Sequence, residues 1–467
     1  LEIYREVDRA VELLGKAKSF PARIIGHDDA DGLTSASIAF EALRREGISS
    51  HLTCLKRLDS TSIKELSREK YNLYIFTDCG SGKIDEIEAG ITKSKDAFAI
   101  ILDHHKPEKA AAENAEKIAH PNPHLFGIDG TKEISGAGVT YLFARALNKN
   151  NKDLAALAIL GALGDIQNSE GGVQGINREI LKDAVESTVI EVRHDLRLFG
   201  AHSKPLHKAI IATTEPFIPG LTANESACIQ FLSDIELPVK RNGEFIKLRD
   251  LSEEEKKRLT TALILKMIEN GIEIKRAENI VGEVYVLSRE SEESMLRDAN
   301  EFTSLLNACG RFEKYSTAIA LCLGGREPAY DEALKLLEEH RSSMFTCYQW
   351  ISKNLEKIED KGKFYAFHGH NEIGETFIGT VVSLIINSQL LKENKPVIGF
   401  AYTSGNEVKV SGRATKENIE KGIDLGEAMR YAAAKVGGEG GGHNIAAGAQ
   451  IPKGKEEEFI NYLKECL

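Results

Sequence analysis

The sequence predicts an α/β fold: a larger domain built on a parallel sheet, a smaller α/β domain after it, a long helix joining the two, and a helical insertion. Three observations predict it. Strand-like apolar runs alternate with helical patterns through the first third, the alternation resumes from Phe364, and an amphipathic pattern fills 331–360 between them. At 467 residues, 42% hydrophobic and 28% charged, the chain exceeds what one ordinary core organises.

Taken in order, residues 2–17 place Val7, Ala10, Val11, Leu13 and Leu14 on one helical stripe. Residues 22–25 read as a short buried strand running into His27-Asp28-Asp29-Ala30-Asp31-Gly32, with a helix from about 33 to 45. Residues 73–77 and 97–102 are further apolar strands, each followed by an acidic residue, Asp78 and Asp103. A mostly helical stretch runs from about 138 to 200. Residues 201–300 read as charged and helical, with Pro205, Pro216 and Pro219 at the entry. Leu334, Leu336, Leu337, Met344, Tyr348, Ile351 and Leu355 mark the connecting helix. The last part ends in a glycine cluster, 437–442, before a final helix. The division expected is 1–200 for the larger domain, with 301–325 returning to it, 201–300 for the insertion, 331–360 for the connecting helix and 361–467 for the smaller domain.

Composition excludes several classes of function. No apolar run reaches the length of about eighteen residues that a membrane helix needs, and the charged start lacks the apolar stretch of a secretory signal. Seven cysteines are scattered and never form a C-x-x-C pair, so neither disulfide stapling nor structural zinc is expected, and a reducing cytoplasm fits. A net charge of −11 argues against coating duplex DNA by bulk electrostatics; a nucleic-acid substrate would need a local basic groove.

Four segments carry the chemistry: 27–32, Thr77-Asp78-Cys79-Gly80, Asp103-His104-His105, and Gly161-Ala162-Leu163-Gly164-Asp165. Each follows an apolar run, where ligands at element ends can aim into a common cleft. A lone Asp after a strand is more often a turn residue or a helix cap, but four such segments in this order are hard to produce by chance. Carboxylates and imidazoles without thiolates suit Mn²⁺ or Mg²⁺. Two such ions can activate a water and steady the leaving oxygen of a phosphodiester.

The order of these segments, and the Asp103-His104-His105 triplet itself, resembles the DHH phosphoesterase family and its RecJ branch, on the archaeal side of which lies the GINS-associated nuclease. The resemblance implies a DHH catalytic domain, a DHH-associated substrate-binding domain and two Mn²⁺ ions, with Mg²⁺ the alternative. His27 and Asp29 would bind one ion, Asp31, His104 and Asp165 the other, and Asp78 would bridge them. His105 would face the scissile phosphate as proton donor or electrostatic stabiliser. Gly440, Gly441, Gly442 and His443 resemble the substrate-gripping Gly-Gly-Gly-His motif; Ser411 and Arg413 resemble the Ser-Gly-Arg segment, whose guanidinium suits a phosphate. Asn307-Ala308-Cys309-Gly310-Arg311 resembles a RecJ segment, with Arg311 placed for the phosphate or for a helix-capping or interdomain salt-bridge role.

The function so implied is a single-strand exonuclease acting in DNA replication or repair, 5′→3′ on DNA, with the strand in a cleft between the domains. Docking to the GINS and replicative-helicase complex is implied as well. A 3′→5′ enzyme, a phosphodiesterase for RNA or short oligonucleotides, and a replisome scaffold with incidental hydrolysis are the other readings. No membrane partner is expected.

Overall fold

The computed structural model describes residues 2–17, 21–93, 97–107, 116–168, 171–213, 216–387, 391–442 and 444–467. The chain divides into two compact units, 1–338 and 339–467. The boundary falls inside the helix Ala329–Lys353, which ends seven residues before the 331–360 expectation.

The first unit is organised on a five-stranded parallel sheet: β1 (Ala22–His27), β2 (Ser50–Leu55), β3 (Leu73–Thr77), β4 (Phe98–Leu102) and the short β5 (Ile118–Ala119), in the order β2-β1-β3-β4-β5. Period-two alternation divides its side chains between two cores. Ile24, Ile75, Ile100 and Leu102 face the helices Glu2–Ala17, Ala30–Arg45 and Gly136–Leu147, whereas Ile25, Tyr74, Phe76 and Ile101 face Ile63, Ile87 and Ile91. From β1 the chain first goes outward to β2 and then returns to β3 on the other side. The carboxyl ends of β1 and β3 therefore flank the switch in strand order, where open α/β sheets form a crevice.

The middle of this unit departs from the sequence reading. Residues 190–196, expected within a helical stretch, form β6 (Ile190–Leu196), antiparallel to β9 (Val281–Leu287), which lies in the segment expected to be helical. A small hairpin, β7 (Lys240–Arg241) and β8 (Glu244–Phe245), sits between them. The partner strand is some ninety residues away, so no local pattern announces the pairing. Between β6 and β9 the helices Leu206–Ala212, Glu225–Asp234 and Glu253–Glu269 enclose a core of their own around Leu206, Cys228, Leu259 and Met267.

The second unit is built on a six-stranded mixed sheet of β10 (Glu359–Asp360), β11 (Tyr365–His368), β12 (Val397–Tyr402), β13 (Glu407–Arg413), β14 (Glu439–Gly442) and β15 (Ala446–Pro452), in the order β10-β11-β12-β13-β15-β14. One face packs on the helices Leu425–Lys435 and Glu456–Cys466, the other on Ile378–Asn387. Gly440, Gly441 and Gly442 of the glycine cluster lie in the edge strand β14. A Cβ on Gly440 would lie 2.4 Å from the Met429 carbonyl oxygen of the helix Leu425–Lys435, so close backbone packing accounts for that glycine. No helix among the described residues is long and apolar enough to cross a membrane.

Candidate metal centre

Each of the four acidic segments ends a buried element of the first unit. His27 closes β1, and Asp29 caps the helix Ala30–Arg45 by accepting from the Gly32 N–H at 2.9 Å. Asp31 lies in that helix's first turn and is fully buried. Its carboxylate accepts from the Gly136 and Ala137 N–H groups, at 2.7 and 2.9 Å, at the N-terminus of the helix Gly136–Leu147. That helix end is the glycine-rich 135–138 segment. Two backbone donors and the positive end of a helix dipole hold the Asp31 carboxylate in place.

Asp78 follows β3 with φ +57°, a conformation that Asp tolerates better than most residues and that turns its side chain in at the end of the sheet. A Cβ on Gly136 would lie 2.6 Å from Asp78 Oδ1, so only glycine lets the helix end approach this closely. Asp165 stands at the C-terminus of the helix Ala155–Gly164, not after a strand.

These side chains converge. His27 Nδ1 lies 2.9 Å from Asp29 Oδ2 and 3.7 Å from Asp78 Oδ2. His104 Nε2 lies 3.1 Å from Asp165 Oδ2, 3.3 Å from Asp78 Oδ1 and 3.7 Å from Asp31 Oδ2. Two groups of donor atoms result, His27–Asp29–Asp78 and Asp31–His104–Asp165, and Asp78 presents one oxygen to each histidine. A third overlapping group joins Asp78, His104 and His105.

Three features of the cluster suit cations. His27 Nδ1, Asp78 Oδ1 and His104 Nε2 are buried yet make no hydrogen bond; their short contacts are misaligned for one. His104 Nδ1 lies 2.6 Å from the Gly130 carbonyl oxygen, an acceptor only, so Nδ1 carries a proton and Nε2, which faces the cluster, is the nitrogen that can give up its proton to expose a lone pair. Lastly, the charges are unbalanced. Burial, then Asp31, Asp29 and Asp165, hold the Asp78 carboxyl well above its ordinary range. Burial and Asp31 push Asp165 up to about 7. Burial drives the imidazoles of His27 and His104 down, but Asp29 and Asp28 for the former, and Asp165 and Asp31 for the latter, outweigh it and raise both to about 9. So much negative charge in a water-poor site draws protons, or metal ions in their place.

His105 is set apart by exposure. Its side chain is 45% accessible, and its Nδ1 lies 2.8 Å from Asp103 Oδ1. Asp103, to which sequence reasoning gave no role, is buried and also accepts from the Ser81 N–H at 2.9 Å. Although burial opposes it, His105 draws the Asp103 carboxyl well below the usual range. A charged carboxylate thus fixes the ring and favours its protonated form.

The 307–311 segment lies against the first acidic motif. Asn307 Oδ1 accepts from the Ala30 N–H at 2.9 Å, across 277 residues of sequence, and a Cβ on Gly310 would clash with the Asp28 carbonyl oxygen at 1.8 Å. The segment buttresses the first acidic motif through Asn307 and Gly310. Arg311 itself is exposed at the end of the helix Ala299–Arg311, within reach of the Asp28 charge.

With this geometry in view, the comparisons with known proteins divide the chain much as the fold does. Residues 22–163 match the DHH family N-terminal domain, 198–281 the DHH-CID domain and 370–467 the DHHA1 domain. An uncharacterised protein of Methanocaldococcus jannaschii is 33% identical over 453 residues, covering 95% of this chain and 93% of that protein. The chain belongs to the DHH family, on its RecJ-like side. The single-stranded-DNA-specific exonuclease RecJ of Haemophilus influenzae is 27% identical over 183 residues, which span 34% of this chain and only 31% of that enzyme. In fold, the chain resembles a manganese-bound exonuclease RecJ (TM-score 0.59, 20% identity, 98% of this chain and 93% of that one) and CDC45 from Entamoeba histolytica (TM-score 0.67, 12% identity, 99% and 98%).

In the DHHA1 part, Ser411 and Arg413 lie on β13. Ser411 is buried, and Arg413 is half-buried, its guanidinium donating to the Gly412 carbonyl at 2.9 Å and facing no carboxylate among the described residues. Gly440, Gly441 and Gly442 lie on the edge strand β14; His443 lies outside the described residues.

Proposed function

We propose that this DHH-family chain is a metal-dependent exonuclease that hydrolyses single-stranded nucleic acid, 5′→3′ on DNA, in replication or repair. The observation that supports the reading is the convergence of His27, Asp29, Asp31, Asp78, His104 and Asp165 in two overlapping groups joined through Asp78. His27 and Asp29 would hold one Mn²⁺, Asp31, His104 and Asp165 a second, with Asp78 offering an oxygen to each. An oxygen and imidazole donor set without thiolate fits Mn²⁺, or Mg²⁺ in its place. Ions bound there supply a water acidified enough to attack phosphorus and positive charge for the leaving oxygen.

The chain's own residues do the rest. Asp103 occupies His105 Nδ1, leaving Nε2–H to donate to a phosphate oxygen, as proton donor or as charge stabiliser. The Gly136–Leu147 helix keeps the Asp31 carboxylate in place by backbone donation, so the site needs little reorganisation. Arg413, which faces no carboxylate among the described residues, suits a backbone phosphate; Ser411, the Gly440–Gly442 backbone and His443 would complete the grip. Arg311 is a further phosphate contact in this reading. Docking to the GINS and replicative-helicase complex follows from the resemblance to the GINS-associated nuclease.

The test is direct: Mn²⁺, strands labelled at either end, DNA and RNA forms, and the product ladders. Mononucleotides released from the 5′ end of DNA are expected. A 3′ ladder would reverse the polarity, turnover limited to dimers and trimers would assign a short-oligonucleotide enzyme, and RNA-only products would move the substrate. Asp78→Asn, which tolerates the same backbone conformation, should lower activity by roughly 10²-fold or more with circular dichroism unchanged. Full Mn²⁺-dependent activity in that variant would remove Asp78 from the site.

A further inference from the structure

The helix that delivers Asp165 ends in an unusual way. The Ile166 N–H donates to the Leu163 carbonyl at 3.1 Å and the Gln167 N–H to the Ala162 carbonyl at 2.9 Å, closing a Schellman turn with Ile166 at φ +57°. Glycine is the ordinary occupant of that position, because a β-branched side chain there crowds its own backbone. The same turn ends other helices of this chain with Gly47, Gly271, Gly324, Gly422 and Gly437, or with the polar Thr188, Glu236 and Glu313. Among these, Ile166 alone is apolar.

Burial does not explain it. Ile166 is 56% exposed, whereas the residues before it in the helix, from Leu157 to Leu163, are largely buried in the core. The side chain therefore incurs backbone strain and leaves apolar surface in water, with no gain in packing to offset either. Its neighbour Asp165 lies 3.1 Å from His104 Nε2 in the carboxylate–imidazole cluster. Adjacent Cα atoms are about 3.8 Å apart, so the backbone of this exposed residue lies beside that cluster.

We propose that Ile166 is a substrate-contacting residue: an apolar shelf on which the base of the nucleotide being released packs while its phosphate lies at the cluster. The base is the flat, apolar part of a nucleotide, and stacking or apolar contact with it tolerates any sequence, as an exonuclease requires. A contact of this kind acts on binding and positioning, not on proton transfer. The inference rests on the nuclease reading above.

Three variants and two substrates test it. Ile166→Gly and Ile166→Ala should raise KM for a single strand about tenfold with a smaller change in kcat, while Ile166→Leu keeps most of the wild-type KM. Thermal unfolding of Ile166→Gly should occur at or above the wild-type midpoint, since glycine relieves the strain, and Mn²⁺ affinity measured by calorimetry should be unchanged. With a strand whose terminal nucleotide is abasic, wild type and Ile166→Gly should become equal. An equal penalty on the normal and abasic strands, no penalty on either, or a fall in Mn²⁺ affinity in Ile166→Gly would each overturn the shelf. Wild-type protein inert on every strand would instead overturn the nuclease reading beneath it.

Discussion

Imidazoles raised to about 9 by their carboxylate neighbours have a consequence for metal binding. His27 and His104 must release their protons before they can donate a lone pair, so protons and Mn²⁺ compete. Apparent Mn²⁺ affinity is expected to rise steadily from pH 6.5 to about 9, with proton release visible by calorimetry in buffers of different ionisation enthalpy. A pH-independent affinity would contradict the assignment of the two histidines. Gly136→Ala, which would drive a methyl into Asp78 Oδ1, should weaken Mn²⁺ binding roughly 10- to 100-fold, the usual cost of disturbing the groups that support ligands. At this scale the sequence was most informative: the acidic and histidine residues carry their chemistry in their own side chains. The roles of Gly130, Gly136, Asp103 and Asn307 were not legible because they act through a carbonyl, an N–H or a remote hydrogen bond, and nothing about a lone Gly or Asn says which partner the fold will bring to it.

Elements were read well where local periodicity decides them and badly where a distant partner does. The strands β1, β3 and β4 are short apolar runs bounded by turn residues, and all were legible. β6 was not: Ile190, Val192 and Leu196 alternate with charged residues that suit a helix surface equally well, and pairing with β9 decides between them. The helix Ala299–Arg311 illustrates a further effect of tertiary placement. Glu301 in its first turn is buried, accepts from the Ser203 hydroxyl, and has its carboxyl pushed up to about 7 by burial and by the Asp298 charge. A carboxyl raised in the folded state supports stability fully below its unfolded pKa, near 4.5, and loses that support as pH rises through about 7. Wild-type melting temperature should accordingly fall between pH 5 and 8, and Glu301→Gln should flatten the decline; parallel pH profiles for the two proteins would refute the burial argument. On the same helix, Asn307→Ala removes the acceptor for the Ala30 N–H and should cost about 1 kcal/mol in chemical denaturation.

For the whole molecule, the two units have separate hydrophobic cores, and the carboxylate–imidazole cluster of His27, Asp29, Asp31, Asp78, His104 and Asp165 belongs to the first. Calorimetry should resolve an Mn²⁺-sensitive transition for the first unit that shifts upward with ion concentration, beside one for the second unit that does not move. A uniform shift of all the heat absorbed would mean that the units melt together. The sequence anticipated two α/β parts joined by a long helix, because that alternation recurs on both sides of a long amphipathic pattern. It did not anticipate that the first part is fastened by its own far end. Ala30 begins the helix that bears Asp31, and the acceptor for its N–H arrives 277 residues later in Asn307. During synthesis, a chain still attached to the ribosome and not yet extended past that asparagine lacks the clasp. The supported start of that helix, and with it the carboxylate–imidazole cluster, would therefore be completed late in translation, and fragments released early would lack it.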